Sequence, residues 1–318
     1  MILRKIFWLT LFFSSILMAQ SHKDFINDNF ATPQDVTRAC LTCHESAAKE
    51  LMKTNHWTWL NEKFVVSHNN IVQRGKKNFI NNFCIALPSN YSRCTSCHAG
   101  YGWKDASFDF SKEENVDCLV CHDQSGTYTK TPTGAGIPDK NVNLLTAAQS
   151  VGKPTRQNCG ACHFNGGGGT GVKHGDLDGS MLNPSPSLDV HMGKLGFQCV
   201  DCHKTEQHKI KGASHGSMAA NTNHISCTDC HKDEIHKNKI LNKHTTSVAC
   251  ETCHIPEFAR EEPTKVWWDW SKAGEDRPEE KDEYGKETYN KMKGEFKWAK
   301  NVIPTYKWYN GSANYYSF

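Results

Sequence analysis

One short pattern, C-x-x-C-H, occurs seven times in this 318-residue chain and includes all but one of its 15 cysteines. Chance does not produce this number, because each copy needs a second cysteine three positions on and a histidine four positions on. Cys84 is the cysteine left over. In chain order, the first to seventh motifs are Cys40, Cys43 and His44; Cys94, Cys97 and His98; Cys118, Cys121 and His122; Cys159, Cys162 and His163; Cys199, Cys202 and His203; Cys227, Cys230 and His231; and Cys250, Cys253 and His254.

The spacing of the pattern suits covalent attachment of haem c. Two thiols three residues apart on a helical turn can reach the two vinyl groups of one porphyrin, and the next imidazole can bind the iron. Zinc binding by paired cysteines would leave the histidine after every second cysteine unexplained. Disulfides suit an exported chain, but cysteines three apart close small strained rings and also leave the histidine without a role. The sequence therefore predicts seven haem c groups, each with its motif histidine as an iron ligand.

Ten histidines lie outside the motifs and are candidates for the second iron ligand, since His and Met are usual axial ligands in cytochromes. Methionine is scarce, with seven in the chain. His22 is predicted to be a solvated tail residue, and His208 and His236 lie in lysine-containing stretches where surface and ligand roles both stay open. The predicted second ligands are His56, His68, His191, His215, His224 and His244.

The N-terminus carries the features of a secretory signal peptide over residues 1–19. Arg4 and Lys5 precede an apolar run from Ile6 to Met18, and Ala19 stands where cleavage would occur. An uncleaved membrane anchor is the alternative, but the run is short for a transmembrane helix. We therefore expect a periplasmic protein with no stable membrane span in the mature chain.

Composition limits how the interior can be built. Apolar residues make up 37% of the chain and the mean hydropathy is −0.64. Haem attachment runs over residues 40–254, and the domain over residues 20–318 gives each of seven haems about 40 residues, fewer than an ordinary domain has. We therefore expect a mainly α fold with much irregular chain, in which haems form the core of one domain over residues 20–318.

Charge excludes one class of partner. The formal net charge is +3, and no basic block with interleaved aromatic residues indicates nucleic-acid binding. Because every haem brings propionates, the 37 lysines and arginines are better explained as partners of those carboxylates. A periplasmic or membrane-bound electron donor and a small anionic substrate are the partners we expect.

Regular structure should be sparse, with short helices at the motifs and a few longer ones. Glycine and proline predict mostly loop over residues 123–158, 165–171 and 183–187. The C-terminal segment, residues 255–318, is aromatic and charged, and its aromatic residues are expected to pack against haem edges. Within it, the charged stretch 277–300 is predicted to be a solvated helix interrupted at Gly285 and Gly294.

Several segments between the motifs resemble the octahaem tetrathionate reductase family of multihaem c-type cytochromes. The resemblance covers most of the chain from about Asp35 onward and depends on the order of these segments, because the motifs alone are shared more widely. The segments are NNFCIALPSN around Cys84, GVKHGDLD around Lys173, SLDVHM before the fifth motif, KVWWDWS, and NVIPTYKWYNG.

The resemblance implies a haem-packed helical fold in which all haems but one have two histidine ligands. It places the exception on the second motif, with His98 proximal, Lys173 distal, and Cys84 and Asn81 beside the iron. Asp189 and Lys243 are further candidates for this pocket. From the residues alone, Lys173 would be a solvated lysine with His174 as the rival ligand, and Cys84 a small buried hydrophobe. The family carries eight haems, so we expect a truncated or shortened chain whose missing motif would follow WYNG.

Two functions fit this sequence. The first is a periplasmic reductase of small sulfur or nitrogen compounds such as tetrathionate, nitrite or hydroxylamine, with Lys173 at a displaceable ligand position and Cys84 able to attack a sulfur substrate. The second is a non-catalytic electron-transfer cytochrome in which every iron is six-coordinate.

Overall fold

The computed structural model describes residues 21–61, 63–67, 70–80, 86–166, 169–172, 175–212, 223–232 and 234–308. Most of the regular structure is short helix. The helices are α1 Pro33–Leu41, α2 Ala47–Leu51, α3 Asn55–Thr58, α4 Tyr91–Cys94, α5 Leu119–His122, α6 Leu144–Gln149, α7 Arg156–His163, α8 Cys199–Cys202, α9 Lys239–His244 and α10 Glu251–His254, with 3-10 turns at His22–Asp24, Leu87–Ser89, Thr95–Cys97, Glu113–Asn115, Gly179–Leu182, Cys227–Asp229 and Trp270–Lys272, and a π-helical turn at Val190–Lys194.

Each motif coincides with a short helical turn, as predicted. Helices α5, α7 and α10 each end at their motif histidine, and α1 carries the first motif cysteine. Helix α1 begins with a capping box, in which Thr32 and Asp35 satisfy each other's backbone N–H groups, and Pro33 fits the first turn. The longer helices we expected are absent from the described ranges, where nine residues is the greatest length.

Three small antiparallel sheets accompany the helices in the part of the chain that the structure describes. They pair β1 Phe64–Ser67 with β2 Asn70–Val72, β3 Thr205–Glu206 with β4 Lys209–Ile210, and β7 Gly294–Ala299 with both β5 Thr264–Asp269 and β6 Tyr289–Asn290.

The prediction of a solvated helix over 277–300 is wrong, because β6 and β7 occupy its second half. Phe296 is buried and lies opposite Trp268 of β5, and its sequence neighbours are exposed or half-buried. Burial therefore alternates with the two-residue repeat of a strand. Gly294 has φ +78°, and a Cβ there would lie 2.1 Å from the Asp269 carbonyl oxygen. Only glycine therefore fits at the start of β7.

Side chains form several small apolar clusters. One groups Val36, Leu119, Ala147 and Ala148, and another groups Trp59, Leu87 and Trp103. This pattern agrees with the expectation that side chains alone do not build one conventional core. None of the fourteen motif cysteines is in a disulfide, so the disulfide alternative is not what the structure contains.

The predicted loops are mostly as expected. Residues 123–158 are irregular except for α6 and the start of α7, and residues 183–187 are irregular throughout. Gly171 has φ +68° and lies against the chain at Pro263, where a Cβ would be 2.4 Å from the carbonyl oxygen. The backbone at Gly171 therefore lies close to the backbone at Pro263, and the Gly171 carbonyl accepts a hydrogen bond from the Thr264 hydroxyl.

Candidate haem-binding centre

Backbone carbonyls fix the orientation of two motif imidazoles. His122 donates from Nδ1 to the Gly152 carbonyl at 2.9 Å, and His203 donates from Nδ1 to the Lys211 carbonyl at 2.9 Å. A carbonyl can only accept, so the proton is on Nδ1 and the lone pair is on Nε2. This is the tautomer that a metal-binding histidine uses.

Among the described residues, five motif histidines face a second imidazole from elsewhere in the chain. Their ring centroids are 5.9–6.5 Å apart, too far for direct ring contact and close enough to hold one atom between them. The pairs are His44 with His22 (6.3 Å, planes at 22°), His163 with His56 (6.2 Å, 69°), His122 with His208 (6.5 Å, 72°), His231 with His191 (6.1 Å, 70°) and His254 with His236 (5.9 Å, 21°).

His98, of the second motif, has different surroundings. It is fully buried, and its Nε2 lies 2.7 Å from the Trp57 carbonyl oxygen, to which it donates. Its Nδ1 is buried without a partner. Among the described residues, the rings around it are Trp57, Trp59, Trp103, Phe108 and Phe110, at centroid distances of 4.9–6.2 Å.

This hydrogen bond bears on the predicted role of His98 as the proximal ligand. In the arrangement seen, the lone pair is on Nδ1 and Nε2 is occupied by a carbonyl, the reverse of His122. His98 can bind iron through Nε2 only if it gives up the contact with Trp57. Its role as a ligand stays a prediction.

Burial keeps two of these imidazoles neutral. Desolvation lowers the pKa of His98 to about 3, with Lys130 and Lys76 adding to the effect. Desolvation also lowers the pKa of His56 to about 4, and the neighbouring His163 contributes. A neutral imidazole is the form that binds a metal.

A buried polar network connects the second and third motifs. Asp117, which precedes Cys118, is 1% exposed and pairs with Lys130 at 2.8 Å. It accepts hydrogen bonds from Tyr101 at 3.1 Å and from Tyr128 at 3.0 Å. Lys130 also donates to the carbonyl oxygen of His98 at 2.5 Å. The network therefore fixes the backbone on which His98 is carried.

The attachment cysteines of different motifs meet in pairs. Side chains of different motifs lie close enough to interact in four pairs: Cys40 with Cys118, Cys97 with Cys162, Cys159 with Cys199, and Cys227 with Cys250. Motifs far apart in sequence thus present their attachment points side by side.

The predicted second ligands have different outcomes. His56 and His191 face motif histidines, and their role as iron ligands stays a prediction. His224 is exposed just before the sixth motif, and His244 is exposed at the end of α9. His68 and His215 lie outside the described residues, as do Cys84, Asn81, Lys173 and His174.

The two further pocket candidates lie near other motifs. Asp189 accepts a hydrogen bond from the Met192 backbone N–H at 2.7 Å and so caps the turn that carries His191. Lys243 lies exposed on α9, whose Asn242 is bonded to the backbone of His236. Within the described ranges, no contact joins either residue to His98.

Sequence reasoning missed three of the paired histidines. His22 lies in a 3-10 turn capped by Ser21 and faces His44, so it is not the solvated tail residue we expected. His208 and His236 likewise face His122 and His254. Counting gave no warning, because the six chosen histidines and Lys173 already supplied one second ligand for each of the seven irons.

Comparison with known proteins identifies these features. Three family models match: cytochrome c554 and c-prime over residues 39–123, cytochrome c7 and related cytochrome c over residues 185–255, and bacterial cytochrome c over residues 265–318. The solved octaheme cytochrome c from Shewanella oneidensis is 54% identical with a TM-score of 0.83. That match covers 93% of this chain and 66% of the other chain, and no curated protein matches.

The chain belongs to the octahaem family of multihaem c-type cytochromes. This cytochrome spans just under two thirds of its solved relative. None of the helices described is long and apolar enough to cross a membrane.

The paired imidazoles fit haem iron. Two metal–nitrogen bonds of about 2 Å, plus about 1 Å from each nitrogen to its ring centroid, place two centroids about 6 Å apart. The five pairs have this separation, and the oriented Nδ1 of His122 leaves Nε2 for the metal. The cysteines of each motif would hold the porphyrin through thioether bonds.

Proposed function

We propose that this cytochrome carries seven haem c groups in the periplasm, exported by a signal peptide over residues 1–19. It reduces a small sulfur or nitrogen compound, such as tetrathionate, nitrite or hydroxylamine, at the second motif. When bound, the haems supply single electrons at potentials set by their axial ligands. A non-catalytic electron-transfer cytochrome is the second candidate, and the five imidazole pairs favour it, because an iron with two imidazoles has no position for substrate.

The proposal depends on one observation, which is that the histidine of the second motif has different surroundings from the other motif histidines. His98 has its Nε2 engaged by the Trp57 carbonyl and faces no imidazole among the described residues, whereas five other motif histidines do. An iron at Cys94 and Cys97 would then need another ligand, for which the family resemblance offers Lys173. A buried amine must be deprotonated to bind iron, and it is exchanged more readily than a second imidazole.

Positive charge near this motif suits an anionic substrate. Lys76 donates to the Cys94 carbonyl at 3.4 Å, and Lys130 lies behind His98 with its charge paired to Asp117. Lys173 adds no positive charge, because an iron-bound amine is neutral. Oxidised sulfur and nitrogen substrates such as tetrathionate and nitrite are anions, and fixed cations in a water-poor site stabilise them.

Cys84 and Asn81 complete the proposed site. A thiol beside the iron could bind or attack a sulfur substrate, and an amide could donate a hydrogen bond to an oxyanion. Both proposed roles come from the family resemblance and the position of Cys84 ten residues before the second motif.

A substrate assay of the haem-loaded protein tests the proposal. We expect oxidation of reduced viologen by at least one compound from a panel of tetrathionate, nitrite and hydroxylamine. The same compound should perturb one haem in the electron paramagnetic resonance spectrum. Lys173→Ala should abolish that perturbation, whereas Lys239→Ala, an exposed lysine on α9, should leave it intact. No turnover and no spectral change with any compound would favour the electron-transfer cytochrome.

A further inference from the structure

The hairpin of β3 and β4 holds its turn in an unfavourable backbone conformation. Its two central residues are Gln207, with φ +47°, and His208, with φ +61°. Two-residue hairpin turns with both φ values positive normally use Asn and Gly, because a Cβ is strained in this region. Strain of this kind persists where surrounding contacts or a function impose it.

The turn places the His208 imidazole opposite His122 of the third motif. The ring centroids are 6.5 Å apart, and the planes are at 72°. His122 has its Nδ1 on the Gly152 carbonyl, so its Nε2 is available. The Nδ1 of His208 lies 2.8 Å from Oε2 of Glu50, so Nε2 of His208 is available as well.

Glu50 is itself held in place. It lies on α2 just after the first motif, and its other oxygen, Oε1, accepts a hydrogen bond from Ser46 at 2.7 Å. Its side chain is 24% exposed, against 34% for His208. A carboxylate that accepts from Nδ1 of a histidine fixes the ring and raises the basicity of the other nitrogen.

We propose that Glu50 is the positioning residue of His208, the imidazole that faces His122 at the haem attached to Cys118 and Cys121. Glu50 connects the first motif to the third haem through this hydrogen bond. A more basic imidazole stabilises ferric iron over ferrous iron, so Glu50 also lowers the reduction potential of this haem. The bond to iron explains why a strained Gln-His turn is kept at the hairpin tip.

Three variants of the haem-loaded protein separate the ligand from its positioning residue. His208→Ala should convert one low-spin ferric haem to a high-spin signal, and added imidazole should restore the low-spin form. Glu50→Gln should keep every haem low-spin and shift one reduction potential to a more positive value in a spectroelectrochemical titration. Glu206→Gln removes an exposed carboxylate from the same hairpin and should change neither observable.

Two results would overturn the proposal. An unchanged low-spin spectrum in His208→Ala would exclude His208 as a ligand. A potential profile in Glu50→Gln that matches Glu206→Gln would exclude the positioning role. Neither result bears on the second motif, so a failed substrate assay and a failed ligand assignment remain distinguishable.

Discussion

Replacing Asp117 with alanine should lower the stability of this cytochrome by about 3–5 kcal/mol, the usual cost of removing one partner from a buried ion pair. The substitution would leave the Lys130 ammonium, 9% exposed, without its counter-charge. It would also remove the acceptor for the hydroxyl groups of Tyr101 and Tyr128. A typical domain has only about 5–15 kcal/mol of net stability, so this is a large fraction.

Urea unfolding followed by circular dichroism of the haem-loaded variant measures the effect. At a dependence of about 1–3 kcal/mol per molar urea, the midpoint should fall by roughly 1 M or more. The double variant Asp117→Ala with Lys130→Met should recover much of the loss, because no unpaired charge is then buried. Asp105→Ala, which removes a half-buried carboxylate bonded to Ser107, should leave the midpoint close to that of the unmodified protein. Equal midpoints for Asp117→Ala and Asp105→Ala would show that the network does not stabilise the fold.

The ferric cytochrome should give two groups of low-spin electron paramagnetic resonance signals. The angle between two axial imidazole planes controls how the iron d orbitals split, so parallel and crossed planes give different spectra. The pairs His22–His44 and His236–His254 are nearly parallel, at 22° and 21°. The other three pairs cross at 69–72°.

Single substitutions assign these signals. His22→Ala should remove one signal of the parallel group, and His56→Ala should remove one of the crossed group. Each should produce one high-spin haem in its place. Asp24→Ala, in the same 3-10 turn as His22, is the matched control and should preserve every signal. If His22→Ala leaves the parallel group at full intensity, the imidazole pairing at the first motif is wrong.

The sequence predicted the local structure of the motifs and the cofactor, because both depend on residues three and four positions apart. A C-x-x-C-H turn needs only its own neighbours, and α5, α7 and α10 end at the motif histidine. The irregular loops were predictable for the same reason, since proline and glycine act on the adjacent backbone.

The imidazole pairs were harder to predict because most depend on long-range packing. His56 meets His163, and His208 meets His122, across separations that no local pattern records. His208 was further hidden by its lysine neighbours, which indicated a surface position, although a hairpin tip can be exposed and still hold a ligand. The many charged residues of 277–300 led us to predict a helix. The structure has a strand there, which begins at Gly294 and buries Phe296.

The character of His98 also lay beyond sequence reasoning. The family resemblance singled out the second motif through its distal ligand, but His98 itself was predicted to be a proximal iron ligand like the other six motif histidines. The surroundings of His98 differ from those of the other motif histidines because of Trp57, which lies on α3, 41 residues earlier. Trp57 packs its ring near the imidazole, and its backbone carbonyl accepts a hydrogen bond from Nε2.

Intact-mass analysis of the mature protein, produced in a host that matures c-type cytochromes and combined with haem quantification, tests the account most directly. We expect the mass of residues 20–318 plus seven haems that survive denaturation, with every thiol except that of Cys84 blocked. A colourless protein with the mass of the polypeptide alone, or with haem that denaturant removes, would contradict covalent attachment between paired imidazoles.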